Sequence, residues 1–115
     1  MAHVLIIAPN GELRRSLQFV LEAEGFVATT RDGFDDPLGF PDDADCVVLD
    51  HHAAQAHLPA ATDFVQRHAP VILLSNTPAH PLAPHCFRTV TKPFLGPFLL
   101  QALWHAIRAP KAEAR

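Results

Sequence analysis

The chain has 115 residues, 49% apolar and 18% charged, with a formal charge of −3, a size that suits one domain around one core. Its nine basic side chains are scattered from Arg14 to Arg115 instead of forming a stripe, which argues against a nucleic-acid binder. The apolar runs are far shorter than the ~20 residues a membrane-spanning helix needs.

Residues 4–8, Val-Leu-Ile-Ile-Ala, make the first of several short continuous apolar runs bounded by turn residues, the pattern of a parallel strand buried on both faces. Leu13, Leu17, Val20 and Leu21 then recur at helical spacing and Gly25 follows as a stop, which predicts a helix over 12–24. Asn10 or Gly11 can cap its start, and Glu12 complements the positive end of its dipole. Residues 26–30 make the second buried strand. The stretch 31–45 carries Gly33, Asp35, Asp36, Pro37, Gly39 and Pro41, leaving room only for a brief helix near 36–40.

Residues 46–49 form the third strand, closed by Asp50. After Asp50 the chain reads as a loop and then a helix over 59–68, with Phe64 and Val65 toward the sheet and His68-Ala69-Pro70 as its stop. Residues 71–74 are the fourth strand, closed by Ser75. Pro78, Pro81 and Pro84 forbid a regular helix through 76–86. A last strand is expected over 87–91 and a last helix from Pro97, with Leu99, Leu103, Ala106 and Ile107 inward. The residues from 109 to 115 read as a polar, frayed tail.

Strand and helix alternate five times, which predicts an α/β fold: a doubly wound five-stranded parallel sheet, one domain over 1–108. Cys46 and Cys86 sit far apart among strand-like residues and read as small core side chains, not as a disulfide scaffold. Met1-Ala2-His3 lacks the basic start and apolar stretch of a secretory signal, so a cytoplasmic location is expected.

In such sheets the chemistry gathers outside the carboxyl ends of the strands. There the topology brings together Asp50, Ser75 and Lys92-Pro93. At these residues, and at Val4-Leu5-Ile6-Ile7, Leu13-Arg14-Arg15, Val47-Val48-Leu49-Asp50, Val71-Ile72-Leu73-Leu74-Ser75 and Thr91-Lys92-Pro93-Phe94, the chain resembles the receiver domains of two-component response regulators over nearly its whole length. The resemblance implies a flavodoxin-like receiver fold and phosphorelay signalling. It makes Asp50 the phosphoacceptor, Ser75 a hydrogen-bond donor to the phosphoryl group and Lys92 the cation on the developing anion. It also implies a cis bond between Lys92 and Pro93.

Departures from the family pattern shape the expectation as much. Ala8-Pro9 stand where the family carries an acidic pair, and magnesium prefers hard oxygen ligands. Magnesium is expected to bind weakly at most, no other cofactor is expected, and Asp50 can persist as the counter-charge of Lys92. Thr89 replaces the family's switch aromatic, and the segment between Ser75 and Lys92 is shortened and irregular where the fourth helix belongs. His51, His52 and His57 neighbour Asp50. Adjacent residues in an extended segment point apart, and the spacing matches no structural zinc pattern, so no metal site is expected there. His80 and His85 read as solvated, and Trp104 with His105 as the outer edge of the last helix.

The expectation is a degenerate, non-enzymatic receiver that signals through protein contacts. Its partner would be a histidine kinase or other signalling protein, with a homodimer possible and no membrane or nucleic-acid contact. The alternatives are a receiver still phosphorylated on Asp50, and a small flavodoxin-like enzyme or histidine-based metal-binding module. No glycine-rich phosphate loop supports the enzyme reading.

Overall fold

The computed structural model describes residues 2–68, 70–93 and 96–109. Five parallel strands, β1 (His3–Ile7), β2 (Val27–Arg31), β3 (Cys46–Asp50), β4 (Val71–Ser75) and β5 (Arg88–Thr91), lie in the order β2-β1-β3-β4-β5. Among the described residues four α-helices connect and cover them: α1 (Gly11–Ala23), α2 (His51–Ala56), α3 (Leu58–Arg67) and α4 (Gly96–Arg108). The period-2 alternation of the strands divides the core into two layers. On one face Val4, Ile6, Val48, Ile72 and Leu74 pack against Leu17 and Leu21 of α1 and Leu99 and Leu103 of α4. On the other, Leu5, Ile7, Val47, Leu49 and Leu73 pack against Ala53 and Ala54 of α2 and Ala61, Phe64 and Val65 of α3.

Helix α1 starts where the capping chemistry places it: the Asn10 side chain accepts a hydrogen bond from the Leu13 N–H at 3.0 Å. After its end Gly25 adopts φ +94°, a conformation that favours glycine.

Several expectations require correction. The chain after Asp50 is not a loop: α2 begins at once, because the Asp50 carboxylate accepts from the His52 N–H and caps it. No helix forms over 36–40; the Asp36 carboxylate accepts from the Leu38 N–H at 2.9 Å and Gly39 turns the chain at φ +67°. Strand β2 is not fully buried, because it is the sheet edge and its residues are exposed or half-buried. The segment 76–86 folds as turns plus a short 3-10 helix, Ala83–His85, consistent with its prolines. Ala69 of the expected helix stop, Phe94, and residues 110–115 of the expected tail lie outside the described residues. Among the described residues no helix is long and apolar enough to cross a membrane.

Candidate functional site

Asp50 ends β3, Ser75 ends β4 and Lys92 follows β5, and these strands are neighbours, so the parallel register brings all three residues to one edge of the sheet. The Asp50 side chain is fully buried, and its two oxygens serve different partners. Oδ1 accepts a charge-assisted hydrogen bond from the Lys92 ammonium. Oδ2 accepts from the His52 backbone N–H at 3.1 Å and lies 3.0 Å from His52 Nδ1. The Lys92–Pro93 peptide is cis.

Ser75 is buried but does not reach Asp50. Its Oγ accepts from the Thr77 N–H at 3.2 Å, and its carbonyl accepts from the Lys92 N–H at 2.7 Å. The hydroxyl hydrogen is still available to a group placed at the sheet edge.

At the end of β1, Ala8 is fully buried and Pro9 exposed, and neither carries a carboxylate. A cation occupies this corner instead. The Arg14 guanidinium, reaching back from α1, donates to the Ala8 carbonyl at 2.7 Å and the Pro9 carbonyl at 3.2 Å. This role was not legible beforehand; an arginine in the first turn of the helix that follows a strand is a weak sequence signal. The fit to magnesium is poor: one carboxylate already paired to a lysine, no carboxylate at positions 8 and 9, and a guanidinium on the carbonyls of those two residues.

His51, His52 and His80 behave otherwise than expected. The helical start of α2 turns the His51 and His52 rings onto each other, with centroids 4.1 Å apart, because the segment is not extended. His51 is buried, its Nδ1 3.1 Å from the Leu74 carbonyl, which can only accept, so Nδ1 carries the proton. His80 is buried rather than solvated. Its Nδ1 accepts from the Leu82 N–H, and burial, then the neighbouring His51, holds its pKa below the ordinary value. His85 is exposed and His57 remains at the surface. Burial pushes the Cys46 thiol up to about 12 and the Cys86 thiol up to about 11. Trp104 belongs to the rim of the core, its ring 5.0 Å from that of Phe26.

A five-stranded parallel sheet in the order 2-1-3-4-5, with an aspartate, a serine and a lysine at the ends of its third, fourth and fifth strands, defines the fold of response regulator receiver domains. The solved structures agree. A response regulator receiver domain protein from Clostridium thermocellum superposes with a TM-score of 0.73 at 19% identity, covering 93% of this chain and 94% of that one. The chemotaxis response regulator CheY4 of Vibrio cholerae gives a TM-score of 0.74 at 17% identity, covering 92% and 98%. In sequence the chain is similar to the transcriptional regulator protein FixT of Rhizobium meliloti (strain 1021), 29% identical over 109 residues, covering 94% of this chain and 95% of FixT. No family model matches the chain.

Proposed function

We propose that this chain is a receiver module of two-component signalling that works through protein–protein contact, with magnesium-dependent phosphorylation of Asp50 impaired or lost. The observation that carries this reading is the chemistry at the end of β1, where the Arg14 guanidinium caps two carbonyls next to residues without carboxylates. In a competent receiver site magnesium neutralises charge between donor and acceptor. Here Lys92 is the cation on Asp50, and Ala8 and Pro9 supply no carboxylate to help it hold a hard ion. The partner class that fits is a histidine kinase or another protein of the same relay, and the module is not itself an enzyme. The similarity to FixT, described as a transcriptional regulator and matched over 95% of its length, supports a role in signal-dependent regulation.

Incubation of the purified chain with acetyl phosphate and magnesium, read by intact mass, tests the reading. The expected result is no aspartyl phosphate, with Ala8→Asp combined with Pro9→Asp recovering magnesium binding by completing an oxygen cluster around Asp50. A phosphorylated wild-type chain whose modification disappears in Asp50→Asn would overturn it, and would favour a receiver phosphorylated on Asp50.

A further inference from the structure

We propose that Asp50, His51 and His52 form a binding site for a borderline divalent transition ion of the zinc or nickel class. One ligand atom from each residue lies within 4.8 Å of the others. Asp50 and His51 are buried, while the His52 side chain is 61% exposed, so the cluster is held from the core and approached from solvent. The inference shares Asp50 with the function proposed above but does not depend on whether Asp50 accepts phosphate.

The geometry sets out which atoms would take part. Because Lys92 engages Oδ1, Oδ2 faces His52 Nδ1 alone across 3.0 Å, besides the His52 backbone N–H. Two ligands bound about 2.0–2.1 Å from one tetrahedral ion stand about 3.3 Å apart. An ion that replaces the proton between Oδ2 and Nδ1 therefore needs the pair to open by a few tenths of an ångström, well within reach of an exposed side chain. His51 supplies the third ligand. Its Nδ1 lies 3.9 Å from Asp50 Oδ1, and turning toward the ion exchanges its hydrogen bond to the Leu74 carbonyl for a metal bond.

Ligand chemistry selects the ion. Two imidazoles and one carboxylate suit zinc, nickel or copper, whereas magnesium wants oxygen ligands throughout. The same edge of the sheet that offers magnesium little thus offers a softer cation three ligands. Three protein ligands leave an open position for water or a partner's side chain, unlike the closed four-ligand sites that serve structure alone.

The test uses the untagged full chain titrated with zinc by calorimetry, and with cobalt(II) as a visible reporter of coordination. Saturable binding of one ion per chain in the micromolar range is expected, unaffected by millimolar magnesium. His52→Ala removes an exposed side chain and leaves the core intact, so it should weaken zinc at least about tenfold, as should Asp50→Asn. His85→Ala should leave the affinity unchanged. No saturable binding across the micromolar range overturns the inference, as does affinity retained in His52→Ala or lost in His85→Ala, which would mark scattered surface histidines as the ligands. An aspartyl phosphate formed with magnesium overturns the function proposed above and leaves the zinc titration standing. Absence of zinc binding overturns only the present inference.

Discussion

Asp50 divides its carboxylate between a cation and a helix start, and both partners come from outside its own strand. With no carboxylate at positions 8 and 9, the Lys92 ammonium finds its counter-charge in Asp50. Asp50→Asn keeps the shape and the capping oxygen but leaves a partly buried ammonium unpaired, an expected loss of about 1 to 3 kcal/mol. Lys92→Met keeps the apolar stem and should cost a similar or smaller amount. The double variant should be milder than the sum, and the coupling from a double-mutant cycle in urea is the measurement that decides. A more stable Asp50→Asn would mean that the carboxylate is kept strained for chemistry. At this scale the residue types at the strand ends were legible, because terminal polar groups after buried runs stand out. Where the Arg14 guanidinium points was not, since it is aimed by a carbonyl beyond the end of the preceding strand, whereas Ser75 Oγ takes a local partner in the Thr77 N–H two residues on.

Helix starts and stops follow local chemistry closely enough to be tested one residue at a time. Gly25 ends α1 at φ +94°, and an added Cβ there would meet nothing within 4 Å. Gly25→Ala is therefore a pure backbone test. The positive φ costs an L residue about 1–2 kcal/mol, partly offset by about 0.4–1 kcal/mol from a stiffer unfolded chain. A net loss of about 1 kcal/mol is expected in chemical denaturation, and an unchanged or raised midpoint would contradict it. Helix α2 shows the opposite case. Its six residues, His51–Ala56, have no long apolar stripe to announce them, and the segment read as loop. Only the Asp50 cap and the burial of Ala53 and Ala54 against the sheet make it helical. That helical start is also what brings His51 and His52 together.

Across the whole molecule the sheet separates two apolar layers, and the thiols report on each. Cys46 lies in the layer beneath α1 and α4, and Cys86 packs beside the layer beneath α2 and α3. With thiols pushed up to about 12 and about 11, neither forms much thiolate near neutral pH. Iodoacetamide at about pH 8 should label both far more slowly in the folded chain than in urea. Rapid labelling of Cys46 with the circular dichroism unchanged would show that its layer opens locally. Both thiols are favoured as neutral groups in the folded state. Their contribution is full below the ordinary thiol value of 9.0 and is lost as pH rises from there toward 11 and 12.

The sequence by itself determined the strand and helix order, the parallel sheet and the residues at its edge. Continuous apolar runs such as 46–49 and 71–74 can be satisfied only by burial on both faces, and Asn10 and Gly25 mark helix ends by chemistry confined to one turn. The tertiary structure alone decided which of those edge residues touch. His80 is buried because Leu82 inserts into the layer beneath α3 and draws the proline-rich segment down with it. Strand β2 is half-exposed because it lies at the sheet edge, although its residues read like those of a central strand. Pairings such as Asp50 with Lys92, 42 positions apart, depend on neighbouring strands placing both residues at one edge, a relation that local patterning does not contain.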